Sequence, residues 1–166
     1  MDSKYFKLIN YSSEIINNYY DNKRLSSLIL YSYFGFNGSP LGPHIYLQDD
    51  LLNSINNAMP IKYAGVIKLD PHTVYNWHTD QDRRVAINML LTSHESSHCV
   101  FSDNSGQIVI KTTELKYNPG KLYLFNTQYP HMVLNGHSDR WLFSVEFHSD
   151  IDYNMVLAWL KDNNYV

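Results

Sequence analysis

The sequence predicts a mainly β protein, a double-stranded β-helix of the jelly-roll type with flanking N-terminal helices and a C-terminal helix. Three observations predict it. From Ile61 onward, short β-branched and aromatic runs alternate with turn signals, the pattern of an antiparallel sandwich or barrel. These runs number eight, which suits that fold. His78 and Asp80 stand two apart on one run, and the histidine that can join them, His131, comes about fifty residues later. Several strands must fold back to unite the three.

In chain order, residues 1–60 carry the weaker signals. Ser13 to Tyr20 reads as a short helix. Asp49 to Met59 is a stronger one, with Leu51, Leu52, Ile55, Ala58 and Met59 at helical spacing behind acidic residues, and Pro60 ends it. Between them residues 34–43, Phe-Gly-Phe-Asn-Gly-Ser-Pro-Leu-Gly-Pro, read as a loop that could serve as a lid. The eight strands follow over Lys62–Leu69, Val74–Thr79, Arg84–Thr92, His98–Ser102, Gln107–Lys111, Lys121–Phe125, His131–Asn135 and Arg140–Phe147. Asp70-Pro71, Asp103-Asn-Ser-Gly106, Asn118-Pro119-Gly120 and Asn135-Gly136 supply the turns. Asp152 to Lys161 reads as a helix whose Met155, Val156, Trp159 and Leu160 form an apolar stripe.

A chain of 166 residues is expected to form one domain with a core of its own, here a 61–148 β-helix supported by 1–60 and 149–166. A net charge of −3 without a basic run speaks against a nucleic-acid surface. The single cysteine, Cys99, fits a reducing compartment, and no run approaches a membrane span. With no apolar segment after Met1, a cytoplasmic protein is expected, as a monomer or weak homodimer.

His-x-Asp occurs three times, as His78-Thr-Asp80, His137-Ser-Asp139 and His148-Ser-Asp150. Long-range context separates them. His148 is the last histidine, and His137 has only His148 after it with a single strand between. Only the pair at His78 has a later histidine with room for a barrel. Two imidazoles and one carboxylate occupy one face of an octahedral Fe(II) and leave three adjacent positions open, as in non-haem oxygenases. Arg83 and Arg84 read as a solvated turn, although they could meet an acidic substrate. His44, His72, His94 and His98 lack ligand spacing, and Cys99 reads as a small core residue.

From Leu69 to Phe147 the chain resembles the Fe(II)- and 2-oxoglutarate-dependent dioxygenases, in particular the prolyl 4-hydroxylase-like branch. The likeness is carried, in order, by Asp70-Pro71, Tyr75, His78-x-Asp80, Pro119-Gly120, Leu124-Phe125, His131-x-Val133, Gly136 and Arg140. It is also similar to the aspartyl/asparaginyl β-hydroxylases, many of which lack the carboxylate that Asp80 provides. The resemblance implies that His78, Asp80 and His131 hold Fe(II) and act with O₂ and 2-oxoglutarate. It implies a hydroxylase acting on an amino-acid or peptidyl side chain, or another small molecule, with release of succinate and CO₂.

The far carboxylate of 2-oxoglutarate needs a fixed cation, and Arg140, opening a strand expected to run antiparallel to that of His131, is the candidate. Asn88 resembles a position that lines the co-substrate pocket, and a buried asparagine satisfied by the backbone is the other reading of it. Several relatives place a serine two residues after the arginine, where this chain has Leu142, with Ser144 two further on. A tyrosine hydroxyl such as that of Tyr123 could substitute. Tyr75 matches the family pattern, yet strict alternation puts it on the face opposite His78. Two other functions fit the same frame: a cupin-like metal enzyme with no use for Arg140, and a jelly-roll binding module with an inactive site.

Overall fold

The computed structural model describes residues 3–33, 35–92, 96–105 and 108–166. Strand β1 (Phe6–Leu8) leads into helices α1 (Glu14–Tyr19) and α2 (Asn22–Ser27). Strands β2 (Tyr31–Tyr33) and β3 (Phe36–Pro40) follow, then α3 (Pro43–Tyr46) and α4 (Asp50–Ala58). The barrel strands are β4 (Ile61–Leu69), β5 (Val74–His78), β6 (Ala86–Leu90), β7 (Ser97–Ser105), β8 (Ile108–Leu115), β9 (Leu122–Phe125), β10 (His131–Asn135) and β11 (Arg140–Phe147), and α5 (Tyr153–Asp162) comes last.

Two antiparallel sheets face each other, in the orders β1-β9-β6-β11-β4-β3-β2 and β5-β10-β7-β8. The eight strands read from the sequence divide equally, β4, β11, β6 and β9 in the larger sheet and β5, β10, β7 and β8 in the smaller. This is the double-stranded β-helix. β10 and β11 do not pair: the chain crosses between sheets at residues 136–139, so Arg140 and His131 meet across the barrel and not along a ladder.

The helices start where their caps allow. Ser13, Asp49 and Asp152 accept the N–H of Ile16, Leu52 and Met155, satisfying donors that a helix N-terminus otherwise leaves free. In α5 the inward stripe is Tyr153, Val156 and Leu160, while Met155 of the expected stripe is turned to solvent.

Residues 36–40 correct the expected loop. Their Gly and Pro content signals a strand seated unusually close to its neighbour. A Cβ on Gly65 would stand 2.5 Å from the Ser39 carbonyl oxygen, and one on Gly38 would stand 3.1 Å from that of Val66. Glycine at both places lets β3 lie against β4. Helices α2 and α3 and strands β1 and β2 add to the expected elements, and β7 runs through Asp103–Ser105, where a turn is expected. Phe34 of the proposed lid and the segment from Ser93 to Glu95 lie outside the described residues.

Alternation gives the large sheet two faces and the protein two cores. Ile87, Met89, Phe143, Val145 and Phe147 pack with Ile16, Leu51, Ile55, Val156 and Leu160 under the helices. Ala86, Leu90, Tyr123 and Leu142 face Cys99, Phe101 and Val133 of the small sheet. A cavity opens in this second core. Among the described residues no helix is long and apolar enough to cross a membrane.

Candidate active site

β5 and β10 lie side by side with His78 opposite His131, so the ladder itself brings the two imidazoles together, ring centres 4.2 Å apart. Asp80 follows in a loop tied down by its N–H to the Thr127 carbonyl at 3.1 Å. Its Oδ1 lies 3.7 Å from His78 Nε2. One ligand atom from each of His78, Asp80 and His131 falls within 4.8 Å of the others, the one such group of three among the described residues.

The donor chemistry suits a divalent metal. His78 Nδ1 meets the Asn76 carbonyl at 2.6 Å and His131 Nδ1 meets that of Tyr129 at 2.9 Å. A carbonyl oxygen only accepts, so Nδ1 carries the proton in both rings and Nε2 keeps the lone pair that ligates. Burial, reinforced by the facing His78, pushes the His131 pKa well below the usual imidazole range and keeps the ring neutral. The nearby Asp80 carboxylate and the Tyr129 carbonyl oppose that shift without overcoming it.

Tyr75 stands on the same side as His78, against the expectation from strict alternation. On β10 two steps separate His131 from Val133, whereas on β5 three separate their partners His78 and Tyr75. The extra residue is a bulge that turns Tyr75 inward, with its ring 4.3 Å from that of His78.

Tyr75, His78 and His131 line one cavity with Asn88, Tyr117 and Arg140, and Arg83, which holds Asp80, also lines it. His78 and Asp80 retain 23 % and 16 % side-chain exposure, whereas His131 and Arg140 are both buried. The carboxylates that could neutralise Arg140 as an ordinary strand residue are engaged elsewhere, Asp139 with Lys68 at 3.2 Å and Glu146 with Lys62 at 2.8 Å. Among the described residues Arg140 forms no ion pair, and its guanidinium rests 5.8 Å from the centre of the Tyr117 ring.

Asn88 is buried in the cavity wall, and the partner of its Oδ1 is the Ser144 hydroxyl at 2.7 Å, not the backbone. Tyr123 is not brought to the cavity. Its hydroxyl accepts the Asn118 N–H at 3.1 Å, tying down the turn after β8. Beside Tyr75 the cavity is lined by Tyr117, whose hydroxyl is buried without a hydrogen-bond partner among the described residues. Carrying the β8 alternation two residues past Leu115 points Tyr117 inward, a signal usable only once that register is known. Arg83 is no solvated turn: it grips Asp80. Cys99 is a core residue, its thiol pushed up to about 12 by burial, and Arg84 is exposed.

A second cavity adjoins the first at Phe36, Ile67 and Arg83. Gly38 and Gly65 form its floor, and Tyr33 and Tyr63 lie along them. Tyr33, Phe36, Tyr75 and His78 make successive ring contacts of 5.3, 5.8 and 4.3 Å, so an aromatic ledge runs from this trough to His78.

Comparison with solved structures shows the same fold. The chain is similar to a prolyl-4-hydroxylase of Pseudomonas putida at 15% identity, covering 86% of this chain and 90% of that one with a TM-score of 0.63. It is similar to a prolyl hydroxylase of Trichoplax adhaerens, solved with a hypoxia inducible factor peptide fragment, at 15% identity over 93% and 87% of the two chains with a TM-score of 0.64. HygX of Streptomyces hygroscopicus, with nickel and 2-oxoglutarate bound, matches at 12% identity over 86% and 82% with a TM-score of 0.63. No family model and no curated protein sequence matches.

Proposed function

We propose that this protein is an Fe(II)- and 2-oxoglutarate-dependent dioxygenase that hydroxylates an amino-acid or peptidyl side chain, releasing succinate and CO₂. The observation that carries this reading is Arg140, a buried cation without a counter-ion among the described residues, in the same cavity as His78 and His131, whose ligand atoms lie within 4.8 Å of that of Asp80. Desolvating a lone guanidinium costs on the order of several kcal/mol, so a bound anion is its natural complement. A cupin-type metal enzyme that ignores 2-oxoglutarate leaves that cost without a purpose.

In this reading His78, Asp80 and His131 hold the metal, which supplies the O₂-activating chemistry at its three open positions. Arg140 receives the far carboxylate of the 2-oxo diacid through its planar fork, and the unpaired Tyr117 hydroxyl adds a donor. Asn88, held by Ser144, walls the pocket between them. Leu142 and Val133 line the same cavity as the arginine.

The trough favours a peptidyl substrate over a free amino acid. With a side chain in the cavity of His78 and His131, neighbouring residues of an extended chain would lie along the adjoining trough, over Gly38 and Gly65 beside Tyr33 and Tyr63. The peptide-bound Trichoplax adhaerens enzyme of the same fold supports this choice.

The test is calorimetric. Mn(II)-loaded protein should bind 2-oxoglutarate and not pyruvate, which has no second carboxylate for Arg140. Equal binding of both acids would falsify the proposal, and so would Mn(II) found at His137 or His148.

A further inference from the structure

We propose that Arg83 is a positioning residue that restricts Asp80 to binding the metal through one oxygen. The inference rests on the metal-binding reading above. Arg83 Nε and Nη2 each reach Asp80 Oδ2 at 2.7 Å, so two donors converge on one oxygen and are not shared across the carboxylate. Oδ1 is left facing His78 Nε2. The remaining nitrogen, Nη1, donates to Ser144 Oγ at 3.3 Å, and Ser144 donates in turn to Asn88 Oδ1 at 2.7 Å. Asp80 is thereby linked through Arg83 to two buried residues of the large sheet.

The loop itself does not need the guanidinium. Thr127 Oγ1 donates to the Arg83 carbonyl, and Gln128 Nε2 donates to the carbonyls of Asp80 at 3.0 Å and Arg83 at 3.1 Å. These bonds fix the course of residues 80–83 whatever the side chain at 83. What the guanidinium adds is the orientation of the carboxylate.

That orientation has a consequence at the metal. A carboxylate can bind a cation by one oxygen or by both. With both, Asp80 would take two octahedral positions, and the three that a facial triad leaves open would fall to two. A 2-oxo acid binding through two atoms would then compete with O₂ for space. With Nε and Nη2 of Arg83 both on it, Oδ2 stays occupied.

Two measurements test this on the full-length chain: crystal structures with Mn(II), and calorimetric binding of 2-oxoglutarate to the Mn(II) form. Native protein should show Oδ1 on the metal and Oδ2 on Arg83. Arg83→Met, of similar reach without donors, should bring both oxygens onto the metal and weaken 2-oxoglutarate binding about 10–100-fold. Arg83→Lys, with one donor point, should fall between the two. A native structure with both oxygens on Mn(II), or Arg83→Met with one oxygen bound or unchanged affinity, overturns the proposal while leaving the metal site standing. Native protein that takes up no Mn(II) defeats the metal reading itself. Should Arg83→Met fail to fold, Arg83→Lys decides alone, and native affinity in it overturns the proposal.

Discussion

The two faces of β11 do opposite work. Trp141, Phe143, Val145 and Phe147 point under the helices and are buried in an apolar cluster. Arg140, Leu142 and Ser144, from the same eight residues, point into the barrel, where a cation and a hydroxyl interrupt the core. One face contributes stability and the other gives some up to hold chemistry. Because the period of a strand is two, both can be written into one segment without compromise. The same division holds on β6, where Ile87 and Met89 join the helix-side core while Asn88 joins the cavity.

The largest expected effect lies on the helix side. Phe143→Ala removes a fully buried ring and should cost about 3–5 kcal/mol in denaturant unfolding. The affinity of the folded fraction for 2-oxoglutarate should stay within about twofold, since additivity holds for sites without shared partners. A large loss of affinity with little loss of stability would show that the two faces are not separable.

On the cavity side, His131 makes stability depend on pH. Its folded pKa is lowered to about 4 against an ordinary 6.5, chiefly by burial. Between those values the unfolded chain binds a proton that the folded chain refuses, so stability rises with pH across the window. The contribution is complete above pH 6.5 and is lost towards pH 4. Its size is on the order of 3 kcal/mol. Urea unfolding of chelator-treated protein at pH 7 and pH 4 should show native protein losing about that much more than His131→Gln; parallel losses would remove His131 from the account.

Arg140 sharpens the contrast with the smallest of the three effects. Arg140→Met should raise the 2-oxoglutarate dissociation constant about 10–100-fold, the loss of a charge-assisted contact of about 1.5–3 kcal/mol. Its melting temperature should equal or exceed that of native protein, because an apolar side chain replaces a desolvated cation. A clear drop in melting temperature would mean that Arg140 supports the fold and is not held in reserve for a ligand.

Much of this architecture was legible in the chain. The eight barrel strands announce themselves because alternation and turn residues act locally, and His131 stands out because it is the histidine with enough chain before it to close a barrel on His78 and Asp80. Arg140 could be named from the resemblance. Strand β3 was hidden, since the glycines that let it approach β4 are the same residues that signal a loop.

The sequence by itself determined the eight barrel strands and named the side chains that could serve a metal, since these follow from spacing along one chain. Only the tertiary structure decided how distant strands register. It put the bulge into β5 that turns Tyr75 inward, brought Tyr117 and not Tyr123 to the cavity, and placed Arg83 on Asp80. It also gave Asp139 and Glu146 to lysines, leaving Arg140 without a counter-ion among the described residues. Each of these depends on which residue stands opposite which across the barrel, and a one-residue shift in pairing exchanges the faces.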